Sequence, residues 1–163
     1  MAVDMFLKLD GIKGESKAEG HKDEIDVLSY SWGLSQTGTM AFGGGAGAGK
    51  VQFQDFHFTK RTDASSPLLF LGCATGEHIK SGIITVRKAG AEQKSDADFL
   101  KITLSDCLVS SYQSSGSSGG DVPTEQVSLN YAKIEFTYTR QDPDGSAGGT
   151  TTRGWDLKAN TKV

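Results

Sequence analysis

The stretch FGGGAGAGKVQFQDFHFTK, Phe42 to Lys60, decides the fold because its two halves point to opposite architectures. From Gly44 it reads G-G-A-G-A-G-K, which places Gly44, Gly49 and Lys50 in the G-x-x-x-x-G-K pattern of a phosphate-binding loop. Such a loop must open a helix, because the helix N-terminus and its free amides hold the phosphate. After Lys50 the chain runs VQFQDFHF, an alternation of apolar and polar residues that reads as a strand. The position after Lys50 is Val51, so the hydroxyl that would hold magnesium is missing as well. The overlapping G-x-G-x-x-A at Gly43, Gly45 and Ala48 fails for the same want of a helix. The glycines are therefore the pliable tip of a long hairpin, and the chain around them reads as β.

Working outward, period-two alternation dominates. Met5, Leu7 and Leu9 share one face of the first strand, with Phe6 opposite. In EIDVLSYSWGLS, Leu28, Tyr30, Trp32 and Leu34 fall on one side, and Ser29, Ser31 and Gly33 on the other. In ADFLKITLSDCLVSSY, Leu100, Ile102, Leu104 and Leu108 alternate against Lys101, Thr103 and Ser105. Two strands change phase: Val51 and Phe53 give way to Phe56 and Phe58, and Val127, Leu129 and Tyr131 to Ile134, Phe136 and Tyr138. One inserted residue in each, a β-bulge, accounts for the change and bends the strand. Tyr30, Trp32, Phe53, Phe56, Phe58, Phe136 and Tyr138 are thereby expected in the core.

Only TDASSPLLFLGCATGEH breaks the period. Ser66 can cap a helix, Pro67 suits its first turn and Gly76 can end it. Leu68, Leu69, Phe70 and Leu71 leave that helix apolar nearly all round, which predicts cover on most sides. The expectation is a mainly β fold: an antiparallel β-barrel of two sheets, closed or nearly closed, with one short packed helix and glycine-rich hairpin loops.

The 163 residues fit a single domain, 1–163, with 36% hydrophobic and 23% charged residues. A net charge of −3 argues against a nucleic-acid partner. No apolar run is long enough for a bilayer-spanning helix, and MAVDMFLKLDG lacks the basic and apolar regions of a cleavable export signal. Cys73 and Cys107 have no metal-type spacing and read as small buried thiols in a reducing compartment, with a disulfide between them left open. His21, His57 and His78 are dispersed, so no metal or cofactor is expected. Asp55 and His57 stand two apart and would share a strand face unless a bulge separates them. No nucleophile elbow accompanies them, so they read as a surface pair and the chain as a non-enzyme.

The order of segments then carries a resemblance that runs through essentially the whole chain. MAVDMFLKLDGIKGES, HKDEIDVLSYSWGLSQTG, the glycine loop, KVQFQDFHFTK, SSPLLFLGCATGEHI, ITVRKAG, the FLKITLSDCLVSSYQSSGSSGGD hairpin and SLNYAKIEFTYT are similar to the hemolysin-coregulated protein (Hcp) family of bacterial type VI secretion. The resemblance implies a hexameric ring with a central hole. Rings would stack into the inner tube of a contractile machine with spike and sheath components, and effector proteins would travel in the lumen. It implies residence in the bacterial cytoplasm and then secretion without a cleavable signal. With the chain stopping at Val163, no toxin domain is expected after the barrel.

If the chain forms such a ring, its small, hydroxylated sheet face is the candidate lumen lining: Ser29, Ser31, Gly33, Thr103 and Ser105. The same residues read equally well as an ordinary outer surface. Gly43, Gly44, Gly45, Gly47, Gly49 and Lys50 are the candidate contact to another protomer or to the next ring. The competing reading is a monomeric barrel that binds a small ligand or carbohydrate, and a hydrolase using His57 or Asp55 stands third.

Overall fold

The computed structural model describes residues 2–38, 49–89, 98–144 and 147–163. Its strands are β1 (Val3–Leu9), β2 (Ile25–Val27), β3 (Ser29–Ser31), β4 (Leu34–Ser35), β5 (Gln52–Phe53) and β6 (Phe56–Arg61). After the helix α1 (Ser66–Thr75) come β7 (Ile79–Lys88), β8 (Asp98–Ser115), β9 (Thr124–Gln141), β10 (Ala147–Asp156) and β11 (Thr161–Lys162). All pairings are antiparallel. The long β9 has two outer neighbours: its first half pairs with β6 and its second half with β10.

A hydrogen-bonded strip thus runs β2-β1-β7-β8-β9-β6-β3. Its end strands, β2 and β3, are joined through Leu28 alone, whose N–H donates to the Thr59 carbonyl of β6 at 2.8 Å. The strip therefore curls round a core of Leu7, Ile25, Phe56, Ile84, Ile102, Leu104 and Leu129. Among the described residues no ladder joins β2 to β6, so the barrel stays open at that seam, where a closed one was admissible.

The link at Leu28 corrects the phase expected for that segment. Ile25 and Val27 face the core, and Leu28 takes the turn, 38% exposed. Tyr30 and Trp32 then pack partly against the core, while Leu34 is 54% exposed. The phase change after Phe53 is a break between β5 and β6 at Gln54–Asp55.

The change in β9 has a different cause from the bulge expected there. Tyr131 and then Ile134 face the core, yet β9 keeps one register with β8 from Leu100↔Tyr138 to Val109↔Leu129. β8 changes phase at the same level, from Ile102 and Leu104 to Cys107 and Val109, about Asp106 at φ 51°. β7 does so too, from Ile84 to Ile79. Three strands turn over together and no residue is inserted between them. Leu108 leaves its expected core position as a result. Phe136 and Tyr138 lie beyond the core at 37% and 45% exposure, with Trp32 tilted against Phe136. The register shift in this ladder lies at Ser110 of β8.

The helix forms close to its signals, but Ser65 stands at its N-cap without a side-chain cap hydrogen bond, and Ser66, expected to cap, is its first residue. Pro67 occupies its first turn, and Gly76 ends it in the left-handed region at φ 69°, its N–H donating to the Gly72 carbonyl. Its cover is much thinner than expected. Leu69 and Gly72 are buried against the barrel, whereas Leu68, Phe70 and Leu71 are about half exposed.

Candidate functional site

On the side of the sheet away from the core, β3, β6, β9 and β8 set polar side chains in cross-strand rows. Ser31 stands opposite His57, His57 opposite Ser128, and Ser128 opposite Ser111. One pleat along, Ser29, Thr59, Gln126 and Gln113 are aligned in the same way. The intervening row, Tyr30, Phe58, Val127 and Tyr112, points to the core side. Strict alternation with one dry face is what divides hydroxyls and amides from aromatics here. Apart from the buried Ser128, the polar rows line an open groove of about 620 Å³, to which Gln54 also contributes.

Asp55 does not complete a catalytic set with His57. Its two oxygens accept from Ser110 Oγ at 2.7 Å and Asn130 Nδ2 at 2.8 Å. Ser110 also shares a hydrogen bond with Ser128, so this end of the face is fixed by its own network. Among the described residues no group of three or more His, Cys, Asp and Glu could hold a metal. Burial on the core side of β3 raises the Tyr30 phenol above its ordinary value.

Behind this sheet the barrel end is filled by charge. Lys60 and Glu125 are cross-strand partners, both fully buried, with Nζ 2.8 Å from Oε1. Ser66, at the start of α1, accepts from Lys60 and donates to Glu125, and Tyr112 donates to Glu125 at 2.6 Å. Asp63 adds a second carboxylate 3.0 Å from Lys60. Burial by itself would raise the Glu125 carboxyl; the hydrogen bonds from Lys60, Tyr112 and Ser66 outweigh it and hold the group below its ordinary value. The Tyr112 phenol is pushed up to about 12 by burial and by the Glu125 carboxylate.

A second polar cluster ties down the segment between β1 and β2. The His21 ring stacks on Phe6 at 4.5 Å, with Nδ1 3.0 Å from Glu24 and Nε2 3.1 Å from Asp98 at the start of β8. The Arg87 guanidinium covers Phe6 at 5.1 Å. Phe6, opposite the core residues of β1, is buried by this cover.

Of the residues singled out from sequence, Ser29 and Ser31 line the groove and Gly33 lies beneath the Gln54 side chain. Thr103 and Ser105 are not brought to it. They pair with Glu135 and Lys133 in the other half of β8, six or more residues from Ser111, about 20 Å at ~3.3 Å per residue. His57, Thr59, Ser111, Gln113 and Gln126 belong to the groove but were not assigned to it from sequence. Pairing partners, which alternation within one strand does not reveal, were the missing information. Gly49 and Lys50 are exposed beside the β4–β5 ladder, and the element after Lys50 is a strand. Gly43, Gly44, Gly45 and Gly47 lie outside the described residues. Cys73 and Cys107 are both free thiols; Cys107 is buried and its thiol pushed up to about 11 by that burial.

Residues 6–138 match the family model described as type VI secretion system effector, Hcp. The chain is 48% identical over 164 residues to protein hcp1 of Pseudomonas aeruginosa, with each chain covered completely. A solved structure described as a type six secretion system protein superposes with a TM-score of 0.92 at 32% identity, covering 99% of this chain and 100% of its own. The crystal structure of Hcp1 from Salmonella typhimurium gives 0.81 at 36% identity, with both chains covered in full.

Proposed function

This chain belongs to the Hcp family of type VI secretion proteins, and on that premise we propose that it is a structural subunit of the secretion tube. Six copies close into a ring, rings stack, and the groove face of β3, β6, β9 and β8 lines the hole through which effector proteins travel. The tube meets spike and sheath components at its end and outer wall, and its subunit does no chemistry.

One observation supports this arrangement above the others. The four strands form a sheet whose outer edges lack a strand partner among the described residues: β3 pairs with β6 alone, and β8 beyond Cys107 with β9 alone. Unpaired edges are an invitation to add a strand. Four alternating strands per copy is an even number, so β8 of one copy can meet β3 of the next antiparallel, and a head-to-tail repeat of that seam gives a ring when its rotation closes. The core face stays dry at every seam, and the face left to the hole carries Ser29, Ser31, Gln113 and Gln126.

The glycine segment with Gly43, Gly44, Gly45, Gly47, Gly49 and Lys50 is assigned the contact between rings. Ordering a glycine costs more conformational entropy than ordering any other residue, so such a contact has to offset that cost.

Mass measurement with cysteine cross-linking tests the ring. With Cys73 and Cys107 replaced by alanine, cysteines placed in Ser29–Ser31 and in Ser110–Ser114 should oxidise between copies, at one register, into a ladder ending at six chains. A species of one 17.3 kDa chain at all concentrations, with no cross-linked ladder, would contradict the proposal.

A further inference from the structure

We propose that the flank of α1 carrying Phe70 is a contact for a neighbouring copy of this chain, and that Leu28 and Tyr30 of that copy cover it. This rests on reading β8 and β3 as the seam of a ring, and it names the side chains that keep the core side of that seam dry.

The helix follows the far half of β8 in reverse. Ser66 bonds to Glu125, whose partner on β8 is Ser114. The Phe70 ring meets Tyr112 edge-on at 6.4 Å, and a β-carbon at Gly72 would touch the Val109 side chain at 3.7 Å. Leu69 and Gly72 face the barrel, and successive helical residues stand about 100° apart, so Phe70 and Leu68 fall on opposite flanks. The Tyr112 contact marks the Phe70 flank as the one over β8, which has no second neighbour there among the described residues. Phe70 is 59% exposed on that flank.

The opposite edge of the same four strands carries a matching surface. Among the described residues β3 has no partner beyond β6; Tyr30 on its core side is half-buried, and Leu28 at its start is 38% exposed. Continuing the rows of the sheet unshifted into the next copy sets the neighbour's Tyr30 beside Tyr112. A shift of two residues, which keeps the faces, sets its Leu28 or Trp32 there instead. In each of these registers an apolar side chain stands one strand spacing, about 4.8 Å, from β8 and on the side where Phe70 lies. A head-to-tail contact needs two different patches on one molecule, and these two lie at opposite edges of one sheet.

Sedimentation velocity of the full chain over a range of concentrations reads this out, alongside denaturant unfolding of each variant. Phe70→Asp and Leu28→Lys should each raise the half-assembly concentration at least about tenfold, the loss of one large buried apolar contact. The two combined should recover most of that loss, because the new charges attract across the seam, whereas Phe70→Asp with Leu28→Asp should assemble worst. Leu68→Asp, on the far flank, should assemble as the parent. Phe70→Gln, which adds no charge, should weaken assembly in the same direction and serves where unfolding shows that the aspartate variant has lost its fold. Assembly of the Phe70 variants at the parent's concentration, an equal loss in Leu68→Asp, or an opposite-charge pair no better than the like-charge pair overturns the inference and leaves the ring reading standing. A parent that stays a single chain at every concentration contradicts the ring reading itself.

Discussion

Glu125 is the residue on which the helix end of the barrel hangs. It gathers Lys60, Ser66, Thr62 and Tyr112 around one buried carboxylate. Removing one member of a buried pair strands the other charge, so Glu125→Gln or Lys60→Met should each cost about 3–5 kcal/mol in denaturant unfolding. Because Glu125 is held below its ordinary 4.5 in the fold, its contribution is complete above that pH. It is lost as the pH falls through the lower folded value, since the unfolded chain then binds the extra proton. Unfolding free energies measured between pH 3 and 7 should fall on the acid side, and Glu125→Gln should flatten that fall. The signal for this pair was present in the sequence. Lys60 follows Phe56 and Phe58 at core parity, and Glu125 precedes Val127 and Leu129 in the same way. A charge at a core-parity position calls for a buried partner, but which partner depends on the pairing of β6 with β9, separated by more than sixty residues.

At the scale of elements, the helix shows what the alternation of a single segment can and cannot reveal. Its bounds are legible from Pro67 and Gly76, and its cover is not, because cover is supplied by other elements. Leu69 carries the attachment, so Leu69→Ala should destabilise the chain by about 2–5 kcal/mol. Leu71 is half exposed, so Leu71→Ser should leave unfolding of the monomer within about 0.5 kcal/mol, whereas Phe70, whose ring meets Tyr112 edge-on at 6.4 Å, should lose about 0.5–1.5 kcal/mol on change to serine. Exposed apolar clusters of this kind mark contact surfaces. In a stacked tube the same two substitutions should therefore lower the fraction of assembled protein at fixed concentration, measured by sedimentation. The strands teach a similar lesson. The break after Phe53 and the turnover near Tyr131 both register as phase changes in the sequence. Only the ladders distinguish a strand interruption from three strands turning over in register, since alternation shows the same change of phase for both.

For the whole molecule, the strand order explains why the barrel remains open. β2 and β3 end one continuous strip and are joined by Leu28, so the same curl that makes a core leaves β3 and the far half of β8 as edges among the described residues. The β-rich class and the single helix were legible because period-two alternation is local. Of the residues on the small hydroxylated face, Ser29 and Ser31 share the groove with His57, Gln126 and Gln113, while Thr103 and Ser105 sit with Lys133 and Glu135 past the turnover, a separation that alternation within one strand does not reveal. The central claim is that this four-stranded polar face lines the hole of a ring. An electron-microscopy reconstruction of the assembled protein tests it most directly. Six copies around a hole walled by Ser31, His57, Gln113 and Gln126, with β3 of each copy beside β8 of the next, is the predicted result. A ring that turns this face outward, or particles of a single chain, would contradict it.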